Sequence, residues 1–148
     1  MQDGFLRAAA ASIPVAVADP RRNAAAICAR IDQAHRAHAA LLVLPELCVT
    51  GYTCGDLFFS DCLLGAVEPA LARIVEASKD LYPVTAVGLP LRFGGKLYNC
   101  AAVVHAVAGQ HDLHTGVGLH QRDQKLSGPL LVNAQRPARV HDLGDLRH

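Results

Sequence analysis

Residues 41–61 read LLVLPELCVTGYTCGDLFFSD, and the first four of them decide the fold. Leu41-Leu42-Val43-Leu44 is a continuous apolar run, the pattern of a strand covered on both faces. Upstream, Asp19-Pro20 supplies an N-cap acid followed by proline at the first helical position. From there to His38, the residues Ala24, Ile27, Cys28, Ile31, Ala34 and His38 recur at spacings of three and four. Polar Arg22, Asn23, Arg30, Gln33 and Arg36 lie mostly off that stripe, so an amphipathic helix is expected. Phe5 to Ser12 is short and apolar and reads as a first strand. Strand, helix and strand in that order imply a βαβ unit with its two strands parallel.

Downstream, Asp56 to Asp80 reads as helix, with Leu57, Cys62, Leu63, Leu64, Val67, Leu71, Ile74 and Val75 available for burial. Pro69 costs about 3 kcal/mol in a helix interior, so a break or a new helix start is expected there. Val84 to Leu89 follows as a strand. Gly94-Gly95 signals a hairpin into a fourth strand from Leu97 to Val104. The order β-α-β-α-β-β with buried strands predicts an α/β fold in which helices cover a sheet.

Beyond His105 the character changes. Every aromatic residue lies at or before Tyr98 and every cysteine at or before Cys100, whereas six of the eight histidines lie from His105 onward. Apart from Pro129 to Val132, this region shows no convincing strand and no sustained helical stripe. A segment that buries little apolar surface has little to offset its ordering entropy. The expectation is a domain over residues 4–105 followed by a divergent, poorly ordered tail over 106–148.

The composition narrows the function classes. The chain has 148 residues, 51% of them hydrophobic and 18% charged, with a formal net charge of +1. Such a length buries a substantial core, and near-neutral charge gives no electrostatic case for nucleic acid or an anionic membrane as partner. No apolar stretch approaches the roughly 20 residues that span a bilayer. The start lacks the basic, greasy and small-residue pattern of a signal peptide. The five cysteines are odd in number and unpaired in spacing, so reduced, buried thiols in a cytoplasmic protein are expected.

Glu46 is the first candidate for chemistry. It directly follows four apolar residues at the carboxyl end of a strand, where ligands bind in open α/β sheets. Pro45 stiffens the exit. A carboxylate partly buried against apolar walls has its pKa raised from about 4.3 toward the range of a general base. The alternative is a carboxylate that caps the next turn or pairs with an arginine. Gly51-Tyr52 supplies a tight turn and a ring able to line a small-molecule pocket, or simply to pack under a loop. Cys48 and Cys54 have no histidine nearby in sequence and read as structural thiols rather than nucleophiles. With Cys62 they match no zinc spacing. His111, His114 and His120 lack an acidic or cysteine partner at a recognised spacing, so no metal site is expected. Gly116-Val117-Gly118 is too weak a signal for dinucleotide binding, and no Walker-type phosphate loop occurs.

The run LLVLPELCVTGYTCGDLF, followed by a helix and then by PVTAVGLPLRFGGKLYNCAAVVH, resembles the carbon–nitrogen hydrolase (nitrilase) superfamily. Within it, the TGYTCGDLF continuation and the VGLPLR…LYNCAAVV pairing resemble the glutaminase domain of glutamine-dependent NAD⁺ synthetases, as does the opening GFLRAAAASIPVAVADPRRNAAAI. The resemblance covers about residues 4–105, and its most specific part is PEL-x-x-[ST]-G-Y. It implies an α-β-β-α sandwich, here incomplete, and a Glu–Lys–Cys triad whose cysteine attacks the side-chain amide of glutamine and releases ammonia. On that resemblance Glu46 matches the general base and Tyr52 a tyrosine lining the glutamine pocket.

Two departures stand out. The family's lysine context, P-K-x-Y-L-P, is absent; residues 109–128 read GQHDLHTGVGLHQRDQKLSG, and Lys125 lacks the motif. None of the five cysteines matches the nucleophile, which would lie beyond residue 148. The resemblance thus implies an N-terminal portion, inactive alone, with ATP and Mg belonging to an absent synthetase domain and no cofactor in this segment. The compositional break fits a frameshifted or truncated reading frame; coding DNA past the Asn99 codon with no P-K-x-Y-L-P continuation in any frame would overturn that expectation. Two other readings are a non-catalytic interaction module, with a homo-oligomer formed through an exposed sheet face, and another amidase of the same superfamily.

Overall fold

A computed structural model describes residues 4–105 in full and the backbone of residues 114–119 and 129–133. The elements are β1 (Ala8–Ala10), α1 (Pro20–Arg36), β2 (Leu41–Val43), a 3₁₀ turn (Gly55–Phe59), α2 (Asp61–Ala77), β3 (Val84–Phe93), β4 (Lys96–Val104), β5 (His114–Leu119) and β6 (Pro129–Asn133). They build one mixed sheet of six strands in sequence order. β1, β2 and β3 run parallel, and β3 to β6 are antiparallel.

The first helix forms as its cap predicts. Asp19 accepts a hydrogen bond from the Arg22 N–H at 3.0 Å, and Pro20 opens the first turn. Ala24, Ile27, Ile31 and Ala34 are buried, while Cys28 is half-buried and His38 lies exposed beyond the helix end. Asn23 departs from the expected polar face: it is fully buried. Its amide group finds three backbone partners, which is what makes a buried polar side chain tolerable.

α2 runs unbroken through Pro69, so the expected break is absent. Pro69 and Gly65 both face solvent, so the Gly65 carbonyl that proline leaves without its helical hydrogen bond is on the side open to hydration. Leu63, Val67, Leu71, Ile74 and Val75 are buried as expected, whereas Leu57 in the 3₁₀ turn and Cys62 are exposed. Gly94 and Gly95 take φ of 55° and 77°, the two positive values a type I′ hairpin turn requires, and join Phe93 to its partner Lys96.

α1 and α2 pack against each other and on one face of the sheet. That face carries Leu42, Thr85, Val87, Leu89, Tyr98, Cys100, Ala102 and Val104, all buried. Among the described residues no helix covers the opposite face, although the turn at residues 45–47 lies over Gly88. Val43 is 44% exposed where Leu42 is 1%, so β2 is not covered on both faces as its apolar run suggests. Among the described residues both helices lie on the same side. Val103, Leu97 and the edge residues Ala8 and Ala10 share the open side or its margin.

Pro129 to Val132, anticipated as a strand, lies in β6; β5 was not anticipated. The remainder of the 106–148 tail, with His111, His120 and Lys125, lies outside the described residues. No helix among the described residues is long and apolar enough to cross a membrane.

Candidate functional site

The turn that follows β2 carries Glu46, and three separate parts of the fold hold it. Leu44 first extends the parallel pairing, donating its N–H to Ala86 O at 3.0 Å. The chain then crosses β3 at Gly88. A side-chain carbon at residue 88 would lie 2.5 Å from Leu47 N and 2.6 Å from Pro45 O, so only glycine admits this crossing. The Gly88 carbonyl accepts from Val49 N at 3.1 Å and from the Cys48 thiol at 3.5 Å. Leu47 adopts φ +50°, an uncommon conformation for a branched residue. It is held there because its carbonyl accepts from both Thr50 N and Gly51 N.

The second anchor is Asn23. Its Oδ1 accepts from Ala16 N at 2.7 Å, and its Nδ2 donates to Ala16 O at 2.7 Å and Val49 O at 3.0 Å. One buried amide thereby joins α1, the loop before it and the turn after β2. The third anchor is that same loop, where Ala18 N donates to Thr50 O at 2.8 Å. Gly51, at φ +94°, lets Val15 and Val17 approach closely.

On this rigid seat the Glu46 carboxylate points into the open. The side chain is exposed and not set against apolar walls, which corrects the expectation of partial burial. The cause is the uncovered sheet face on whose side it lies. Its described partner is Asn99 on β4, whose Nδ2 donates to Glu46 Oε1. Tyr52 is 71% exposed, and no hydrogen bond joins it to Glu46 among the described residues. Among the described residues, the hydrogen bond at Glu46 is thus to Asn99 and not to Tyr52. Composition and spacing gave no signal for this, because Glu46 and Asn99 are 53 residues apart and meet only through strand register.

The thiols behave as structural groups. All five cysteines are free; Cys48, Cys54 and Cys100 are buried, and only Cys62 is exposed. Burial pushes the Cys48 thiol up to about 11 and the Cys100 thiol up to about 12. Burial thus favours the neutral thiol in both, the behaviour of a structural cysteine. Among the described residues no group of three or more His, Cys, Asp or Glu converges as metal ligands.

Residues 7–113 fit the carbon–nitrogen hydrolase model, and the chain belongs to that family. Within it, the chain is a homologue of glutamine-dependent NAD⁺ synthetases. It is 44% identical over 104 residues to the glutamine-dependent NAD(+) synthetase of Mycobacterium tuberculosis, covering 70% of this chain and 15% of the relative. Among solved structures, the glutamine-dependent NAD(+) synthetase of Cytophaga hutchinsonii superposes with a TM-score of 0.68 at 30% identity, over 78% of this chain and 19% of that one. An amidase from Nesterenkonia sp. shares the fold at a TM-score of 0.55 and 19% identity, over 82% of this chain and 46% of that one. The chain thus spans about 15% of the length of the curated relative it matches.

Proposed function

We propose that the chain is the base-bearing, N-terminal portion of a glutaminase domain of the NAD⁺ synthetase type, which hydrolyses glutamine to supply ammonia for amidation of deamido-NAD⁺. The observation that carries this reading is the seat of Glu46: a strand-end carboxylate on a turn pinned by Gly88 and Asn23, in a chain homologous to such synthetases. Glu46 acts as the general base toward a thiol, a role worth about 10²- to 10⁴-fold in rate. Tyr52 lines the glutamine pocket once further structure covers the open side. ATP and Mg belong to a synthetase domain, not to the residues here. The division near residue 105 and a cytoplasmic location complete the reading.

The 148-residue chain alone does not hydrolyse glutamine, because no cysteine with the nucleophile's context and no lysine with the triad's context is present. The buried, neutral thiols of Cys48 and Cys100 support this. Ammonia release from glutamine by the purified chain is the test. No release above the blank is expected; a rate that Glu46→Gln abolishes would overturn the claim of inactivity.

The open sheet face favours a second reading, a non-catalytic interaction module that associates through Val43 and Val103, by itself or with an intact synthetase. Such an exposed apolar face invites a partner. Co-purification with a full-length homologue supports this reading, and a lone monomer at high concentration counts against it.

A further inference from the structure

The β3–β4 hairpin holds Glu46 twice, once by its backbone and once by its side chain. Gly88 on β3 seats the main chain of residues 45–47. Asn99 lies on β4 opposite Pro90, two pair steps along from Ala101 opposite Gly88 and so on the same face. It alternates with Tyr98 and Cys100, which are buried toward the helices, and so Asn99 faces the open side. From there its Nδ2 donates to Glu46 Oε1.

We propose that Asn99 is the positioning residue for Glu46. An ionised carboxylate has about four acceptor positions on two oxygens. Asn99 occupies Oε1, fixes the side-chain torsions of the glutamate and leaves Oε2 to face whatever proton donor the carboxylate serves. The chemistry favours an amide here. A guanidinium or ammonium in the same place would hold the carboxylate equally well but would stabilise its charged form strongly, reducing its appetite for a proton. A neutral amide orients the carboxylate without placing a charge beside it. The role rests on the reading of Glu46 as a general base, whereas the contact itself does not.

The test is NMR spectroscopy of the isotopically labelled 148-residue chain, without glutamine. Glu46→Gln should move the Asn99 side-chain amide protons upfield, because a charge-assisted bond becomes a neutral one. Asn99→Asp keeps the shape and removes the donor, and Asn99→Leu removes it without adding charge. Both should collapse the Glu46 χ1 couplings from a single-rotamer pattern to averaged values while the Gly88 and Cys48 backbone signals stay in place. Asn99 amide signals indifferent to Glu46→Gln, or Glu46 couplings unchanged in both Asn99 variants, would overturn the proposal. Should a β4 variant disturb the hairpin, the Glu46→Gln reading on Asn99 still decides. Failure of the general-base reading shows elsewhere, as glutamine chemistry insensitive to Glu46→Gln while the Asn99 contact persists.

Discussion

Asn23 Oδ1 accepts from the Ala16 N–H and Asn23 Nδ2 donates to the carbonyls of Ala16 and Val49, all from a fully buried position. Asn23→Ala leaves the Ala16 N–H and the Val49 carbonyl without this partner, whereas the Ala16 carbonyl still accepts from Asp19 N, and each orphaned group costs about 1–3 kcal/mol. We expect a loss of about 2–4 kcal/mol in total, read as a lower urea midpoint, together with altered signals for the Glu46 turn. Thr85 is the converse. Among the described residues its buried hydroxyl has no hydrogen-bond partner, so Thr85→Val should be neutral or stabilise by about 1 kcal/mol in the same measurement. The cysteines make a prediction in pH. The Cys48 thiol is raised from 9.0 to about 11 and that of Cys100 from 9.0 to about 12. The unfolded chain therefore releases these protons first as pH rises. Stability from the two neutral thiols is fully present below about pH 9 and is lost progressively toward pH 11 and 12. Near neutral pH, iodoacetamide should modify exposed Cys62 well before Cys48 or Cys100, and mass mapping of the products checks this.

At the scale of elements, what the sequence made legible was whatever rested on periodicity and turn chemistry. The stripe through Ile27 and Ile31, the apolar run at Leu41 and the Gly94-Gly95 pair each report a local backbone preference, and each element stands where expected. Pro69 misled because the cost of proline depends on which side of the helix it occupies, and side is a tertiary property. Pro69→Ala should therefore raise stability by about 1–3 kcal/mol while leaving α2 in place, measurable by thermal unfolding. β5 escaped notice because HTGVGL carries two glycines and little of the β-branched and aromatic content of ordinary strands. Asn23 reads as a polar residue beside a stripe, and only the turn brought against it explains its burial. Gly88 is a further case. Nothing local marks it, yet a methyl group there would strike the backbone of Pro45 and Leu47. Gly88→Ala should shift the Glu46 turn and destabilise the fold, with the largest amide shifts at residues 45–49.

Across the whole molecule, the helices cover one face of the sheet and leave Val43, Leu97 and Val103 exposed on the other, beside Glu46. The strand-end glutamate was legible from PELCVTGY, but its exposure was not, because covering a sheet face depends on elements distant in sequence. If the open face drives self-association, Val43→Lys with Val103→Lys should reduce it with little change in unfolding midpoint, since both side chains are already exposed; sedimentation velocity reads the first and urea unfolding the second. On the proposed function, the same face is where the rest of a glutaminase domain completes the site. The most direct measurement is ammonia release from glutamine after this chain is combined with the remaining portion of the glutaminase domain of the Mycobacterium tuberculosis relative. The account predicts release by the assembled pair and a fall of at least about 10²-fold with Glu46→Gln in this chain. An assembled pair that releases ammonia equally well with Glu46→Gln would contradict it.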